Sequence, residues 1–169
     1  MRTAGIQDIP AIVAVQARSW RTAYRGIVDD EFLDAIPMQQ WIESWRAHYF
    51  TGDSRCFVAE DDGRVIGFAS VGPPDAGEDL DRSVAELHTI YIDAAYYGLG
   101  VGRVLMETAL DHLRAGGYRG VILWVLKDNV RGRRFYEAGG WTPDGAQASD
   151  CWGATSVPRV RYRLKLPPG

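Results

Sequence analysis

In the first part of the chain the apolar positions keep a helical spacing. Ile9, Ile12, Val13, Val15 and Trp20 predict a helix, with Asp8 as its cap and Pro10 in its first turn. Tyr24-Arg25-Gly26 reads as the end of that helix, Gly26 serving as its C′ residue. Residues 1–5 are short enough for a first strand. Asp29-Asp30-Glu31 opens a second, short helix carrying Phe32, Leu33 and Ile36. Residues 38–49 predict a third, with Trp41, Ile42 and Trp45 on one side.

Further on the spacing becomes that of strands. Residues 56–60 and 65–71 flank Asp61-Asp62-Gly63-Arg64, a strong hairpin signal, because Asp-Gly supplies the positive φ angles of a tight turn. Residues 72–82, rich in Pro, Gly and Asp, predict a surface loop, and 84–92 a further strand. Val101, Val104, Leu105, Thr108, Ala109 and Leu113 return to a period of about 3.6 and define a helix stopped by Gly116-Gly117. A buried strand follows over 120–126, then a helix over 129–138 capped by Asp128 or Asn129. Residues 157–166 form a closing strand bounded by Pro158 and Pro167-Pro168. Nothing repeats at solenoid or propeller periods. The order predicts one domain over 1–169, built on a mixed α/β sheet.

Composition narrows the function. Apolar residues make up 46% and charged residues 24%, enough for an ordinary core. No apolar run nears the roughly 18 to 20 residues of a membrane span, and Met1-Arg2 leads into polar residues rather than a secretory core. Cys56 and Cys151 have neither zinc nor disulfide-framework spacing, so a cytoplasmic protein is expected. The net charge of −3 is spread without blocks of one sign, which argues against a nucleic-acid partner. The local cluster Arg131, Arg133 and Arg134 suits either a phosphate or a solvated helix face.

Candidate chemistry begins at Tyr97-Gly98-Leu99-Gly100-Val101-Gly102, a turn between a strand and a helix. The free N–H groups of a helix's first turn can hold a pyrophosphate, and glycines let the backbone approach it. A merely tight turn would use the same residues. A P-loop is excluded because Arg103-Val104 follow Gly102 in place of Lys-Ser/Thr. A dinucleotide site is disfavoured by the GxGxG spacing, the late position of the turn, and the absence of an acid in 120–126.

Read together with that turn, the second half of the chain resembles the GNAT superfamily of N-acetyltransferases. Residues 86–93 (ELHTIYID) resemble its central strand, and 97–106 its coenzyme A loop and helix. Leu123 to Asn129 and then Arg133 to Trp141 are similar to its second motif, while 19–26 (SWRTAYRG) are similar to the first helix and turn of many bacterial members. The resemblance implies a mostly antiparallel sheet, flanked by helices, whose central strand pair splays to leave a slot. It further implies acetyl-CoA as acyl donor, its pantetheine pairing with the backbone of Ile90, Tyr91 and Ile92. The diphosphate would rest on Tyr97, Gly98, Leu99, Gly100, Val101 and Gly102, with Asn129 on the pantetheine arm and Arg103 or Arg133 near a phosphate. Tyr97 departs from the family pattern, which favours Arg or Gln there.

Forming an amide from a thioester requires a neutral amine, so a general base is useful. Glu86 is the candidate, because a Glu inside so apolar a strand is costly unless solvated, paired or functional. His88 lies two residues on, on the same face unless a bulge intervenes, and has a suitable intrinsic pKa. An exposed or Arg-paired Glu86 and a satisfied histidine are the structural alternatives. Tyr136 resembles the family's general acid at the thioester sulfur; packing beside Phe135 is its alternative. Trp20 and Tyr24 are candidates for the acceptor pocket, since the resemblance lays the first helices over the active site. Trp41 and Trp45 read as core. The expected reaction is sequential N-acetylation of a primary amine, more readily a small molecule than a protein, without metal. A homodimer is compatible with this reading. The rival is a non-catalytic acyl-CoA sensor or interaction domain.

Overall fold

The computed structural model describes residues 1–48, 52–75 and 81–167. Tyr49, at the expected end of the third helix, and residues 76–80 of the acidic loop lie outside them. Seven strands form one sheet: β1 (Arg2–Thr3), β2 (Arg55–Asp61), β3 (Arg64–Gly72), β4 (Val84–Ile92), β5 (Gly120–Leu126), β6 (Thr142–Trp152) and β7 (Thr155–Lys165). Their spatial order is β1-β2-β3-β4-β5-β7-β6, antiparallel throughout except for the parallel pair β4–β5. Helices α1 (Ile9–Ala23), α2 (Asp30–Asp34) and α3 (Met38–His48) cover one face. On the other lie α4 (Val101–Ala115) and α5 (Val130–Ala138). The expected mixed, mostly antiparallel sheet with flanking helices is therefore present. Among the described residues no helix is long and apolar enough to cross a membrane.

The helical spacing is answered by the packing. Ile9, Ile12, Val13 and Val15 of α1 are fully buried against Val58 and Phe68 of the sheet. Leu105, Ala109 and Leu113 of α4 are buried against Ala69, Ala85 and Leu123 on the opposite face. The β2–β3 turn has φ of 46° at Asp62 and 75° at Gly63, the left-handed pair that Asp-Gly promised. Asp29 caps α2 by accepting from the Glu31 N–H at 3.1 Å, and Ile36 is buried just past its end.

Some boundaries need correction. Asp8 precedes α1 but does not cap it; its carboxylate turns back to the Gly5 N–H at 2.8 Å and to both terminal nitrogens of Arg2 at 2.7 and 2.8 Å. Arg2 also reaches Glu60, so one guanidinium ties β1 to β2 and to the entry of α1. Gly26 lies one residue beyond the C′ position, because Tyr24 is the C-cap. Strand β6 had no sequence signal. Pro158 falls inside β7 rather than at its edge. Lys127 N–H donates to the Pro158 carbonyl at 2.9 Å, and proline has no N–H to return. The Lys127 carbonyl accepts from Arg133 at 3.2 Å instead, and the β5–β7 ladder stops there.

The Asp8 network gives a pH-dependent prediction. The Arg2 hydrogen bonds hold the Asp8 carboxyl below the usual carboxylate range. A group whose folded pKa is depressed contributes stability above its unfolded value, about 3.9, and loses it as pH falls through the folded one. Asp8→Asn is therefore expected to be less stable than wild type at neutral pH in urea denaturation, with the gap closing in acid. A gap independent of pH would mean that the charge of Asp8 is not what matters.

Candidate active site

The site forms where the sheet comes apart. Val84, Ala85 and Glu86 pair with Gly120, Val121 and Ile122, and there the β4–β5 ladder ends, although both strands continue. Past Glu86 the two edges diverge and leave backbone groups unpaired between them. This is the splay that the resemblance implied.

A bulge decides which β4 side chains face which way. Ser70 of β3 pairs with Thr89 and Val71 with Leu87, so His88 is the extra residue. Before the bulge, Ala85 and Leu87 point to the α4 core; after it, Ile90 and Ile92 do. Glu86, His88 and Tyr91 are thereby gathered on the opposite side, towards α1. Glu86 is buried, its Oε2 accepting from the Asp75 N–H at 3.1 Å, and its Oε1 lies 3.7 Å from His88 Nδ1. Glu86 is therefore not exposed, and among the described residues it has no arginine partner. One ligand-type atom from each of Asp75, Glu86 and His88 lies within 4.8 Å of the others, a set able to pass a proton or meet a cation.

The glycine turn opens α4. Gly98 and Gly100 have φ of 78° and 83°, angles that side-chain-bearing residues avoid. Gly100, the N-cap, has no side chain to cap with, so the N–H groups of the first turn of α4 are left for a ligand. A Cβ on Gly102 would come within 3.0 Å of Ile92 and 3.3 Å of Phe135, which explains the third glycine by packing rather than by anion contact. Asp93, paired with Arg18 at 2.9 Å, anchors the connection from β4 to this turn. The cradle and the open strand edges suit an anionic ligand with an extended amide-bearing arm, as coenzyme A is.

Helix α5 supplies the far wall. Asn129 caps it, its Oδ1 accepting from the Gly132 N–H at 3.0 Å, which leaves the amide Nδ2 for a ligand. Tyr136 is edge-on to Phe135 and Trp141. Burial pushes its phenol well above the ordinary tyrosine range, with a smaller contribution from Tyr91. Its hydroxyl therefore stays protonated through neutral pH. Arg133, a phosphate candidate in the sequence, is instead spent on Tyr162 Oη at 3.0 Å and the Lys127 carbonyl.

One cavity of about 570 Å³ joins these parts. Glu86, His88, Ile90, Tyr91, Ile92, Tyr97, Gly98, Gly100, Val101, Gly102, Arg103, Asn129, Tyr136, Trp20 and Tyr24 all line it. Of the predicted site residues Leu99 and the phosphate candidate Arg133 do not; Leu99 stands 71% exposed at the apex of the turn. The α1 side of the cavity is aromatic. Trp20 stacks on Trp152 at 4.3 Å and meets Tyr24 and Trp41 edge-on, and the Tyr24 and Tyr91 hydroxyls are 3.2 Å apart. Trp45 is core, against Phe68. Sequence reasoning missed Trp152, Asp75 and the side-chain role of Tyr91. Trp152 arrives on the unrecognised β6, Asp75 through a loop, and Tyr91 through the bulge.

Residues 15–141 match the Acetyltransferase (GNAT) family. The chain is 32% identical over its whole length, and over 96% of the relative, to the probable N-acetyltransferase Rv2775 of Mycobacterium tuberculosis. It is 31% identical over 76% of its length, and 72% of the relative, to the uncharacterized N-acetyltransferase YuaI of Bacillus subtilis. In fold it is similar to the PaiA N-acetyltransferase of Thermoplasma acidophilum in complex with coenzyme A, with a TM-score of 0.77 at 20% identity, over 98% of this chain and 97% of the other.

Proposed function

The chain belongs to the GNAT family of acetyltransferases, and from that premise we propose that it acylates a primary amine directly from acetyl-CoA within one ternary complex. The carrying observation is the single cavity in which the α4 cradle, the β4–β5 slot, Glu86 and Tyr136 meet. Acetyl-CoA as donor supplies an activated acyl group; the chain's own residues do the rest.

In this reading the N–H groups at the start of α4 bind the diphosphate, and the open edge of β4 at Ile90–Ile92 binds the pantetheine arm. The amine enters from the aromatic side, past Trp20, Tyr24 and Trp152. An alkyl ammonium has a pKa of about 10.4 and no lone pair to attack with. Glu86, in the fork of the strands, takes the amine proton, and His88 at 3.7 Å lies on the way to solvent. The nitrogen attacks the thioester carbonyl, the C–S bond breaks, Tyr136 gives its proton to the departing sulfur, and the second proton that the nitrogen sheds as the amide forms returns to Tyr136 through water.

No acyl-enzyme is involved. Burial raises the Cys56 thiol to about 12, Cys56 packs into the α1–sheet core, and neither cysteine lines the cavity. A small-molecule amine suits a concave pocket of this size better than a protein surface does.

The test is calorimetric titration with acetyl-CoA, followed by a panel of small amines and peptides monitored by thiol release. Micromolar binding with turnover on small amines is the expected result. Binding without turnover on any amine would favour the sensor reading. Turnover confined to peptides would replace the metabolite acceptor with a protein one.

A further inference from the structure

The Arg131 guanidinium carbon lies 3.4 Å from the centre of the Tyr97 ring, at the rim of the cavity where the first turns of α4 and α5 converge. So short a distance requires a face-on stack. Stacking of this kind occupies the guanidinium's face and leaves its in-plane N–H donors free, which is the edge that grips a phosphate bidentately.

The surroundings of Arg131 point the same way. It stands in the first turn of α5, which contains Arg131 and Arg133 and no acidic residue. The first turn of α4 contains Arg103 and likewise no acid. Cations at the positive end of a helix are unfavourable, and an anion held between two such ends relieves both. Among the described residues Arg131 has no carboxylate partner, whereas Arg133 is held by Tyr162 and the Lys127 carbonyl. Of Arg131, Arg133 and Arg134, only Arg131 lines the cavity.

We propose that Arg131, held in place by Tyr97, binds a phosphate of the acyl-CoA. Tyr97 is then a positioning residue: it carries no charge itself but fixes a cation lent from α5. The tyrosine that departs from the family's Arg or Gln in the glycine turn thus becomes the support of a neighbouring cation. The inference rests on the acetyl-CoA reading above.

The experiment is calorimetric titration of wild type, Arg131→Ala, Tyr97→Leu and the double variant Tyr97→Arg/Arg131→Ala with CoA and with pantetheine, which has no phosphate. Matched circular dichroism spectra establish that each variant is folded. Arg131→Ala is expected to weaken CoA binding about 10-fold or more while pantetheine binding is unchanged. Tyr97→Leu should show a smaller loss of the same selectivity, about 3-fold. The double variant, with its cation moved to position 97, should recover most of the CoA affinity. An unchanged CoA affinity in Arg131→Ala, or a loss shared equally by pantetheine, overturns the proposal. Wild-type CoA affinity in Tyr97→Leu overturns the positioning role. Wild-type protein that binds pantetheine and CoA equally overturns the phosphate role of Arg131, and wild-type protein that binds neither overturns the acetyl-CoA reading itself.

Discussion

Glu86→Gln is expected to lower kcat by about 10² to 10⁴, the range in which a positioned general base contributes. The substitution is nearly isosteric, and its amide oxygen can keep the bond from the Asp75 N–H. What it removes is the negative charge and the ability to accept a proton. The amine must then arrive already neutral. The variant's rate should keep rising with pH towards the pKa of the free amine, about 10.4 for an alkyl amine, where wild type levels off sooner. Raising the pH should therefore recover part of the lost rate. A normal kcat and an unchanged pH profile would exclude Glu86 and move attention to His88 or to water.

Tyr136→Phe is expected to lower kcat by about 10²-fold, with the KM for acetyl-CoA changed little. The ring stays and keeps its contacts with Phe135 and Trp141; only the hydroxyl goes. A thiol of pKa about 8.5 is already a fair leaving group, so the deficit should shrink further with an acyl thioester of a more acidic thiol. Because burial raises the Tyr136 phenol, wild type should show no loss of activity from its ionisation below the ordinary tyrosine range. Turnover unchanged at saturating acetyl-CoA would mean that Tyr136 serves packing alone.

Much of this arrangement is legible in the chain because it is local. Asp62-Gly63 marks the hairpin, Gly98 and Gly100 mark the turn before α4, and Asn129 marks the start of α5; in each case a backbone angle or an unpaired N–H demands that residue type. Strand β6 is the counterexample. Its TPDGAQASDCW has little β-propensity, and it is a strand because β7 offers it a partner, which is tertiary context and not composition. Losing β6 also hid Trp152 and hence half of the Trp20 stack. The bulge at His88 was equally unreadable, since it depends on register against β3. Yet it decides that Glu86, His88 and Tyr91 face one way. Asp8 looked like a helix cap until Arg2, brought close by β1, offered its carboxylate two stronger bonds.

The seam in the sheet has a mechanical side. Among the described residues, β1–β4 make one leaf of the sheet and β5–β7 another, and the strand ladder joins them only at Val84–Glu86, with α4 packed across both on Ala85 and Leu123. Such a short spine is where sub-global opening should begin, at less free energy than full unfolding. A pantetheine arm lying in the slot would touch both leaves and act as a clasp. At a hundredfold excess over its Kd such a ligand adds about 2.7 kcal/mol to the folded state. The amount of acetyl-CoA in the cell would then set the lifetime of the folded chain against proteases as well as its rate of turnover.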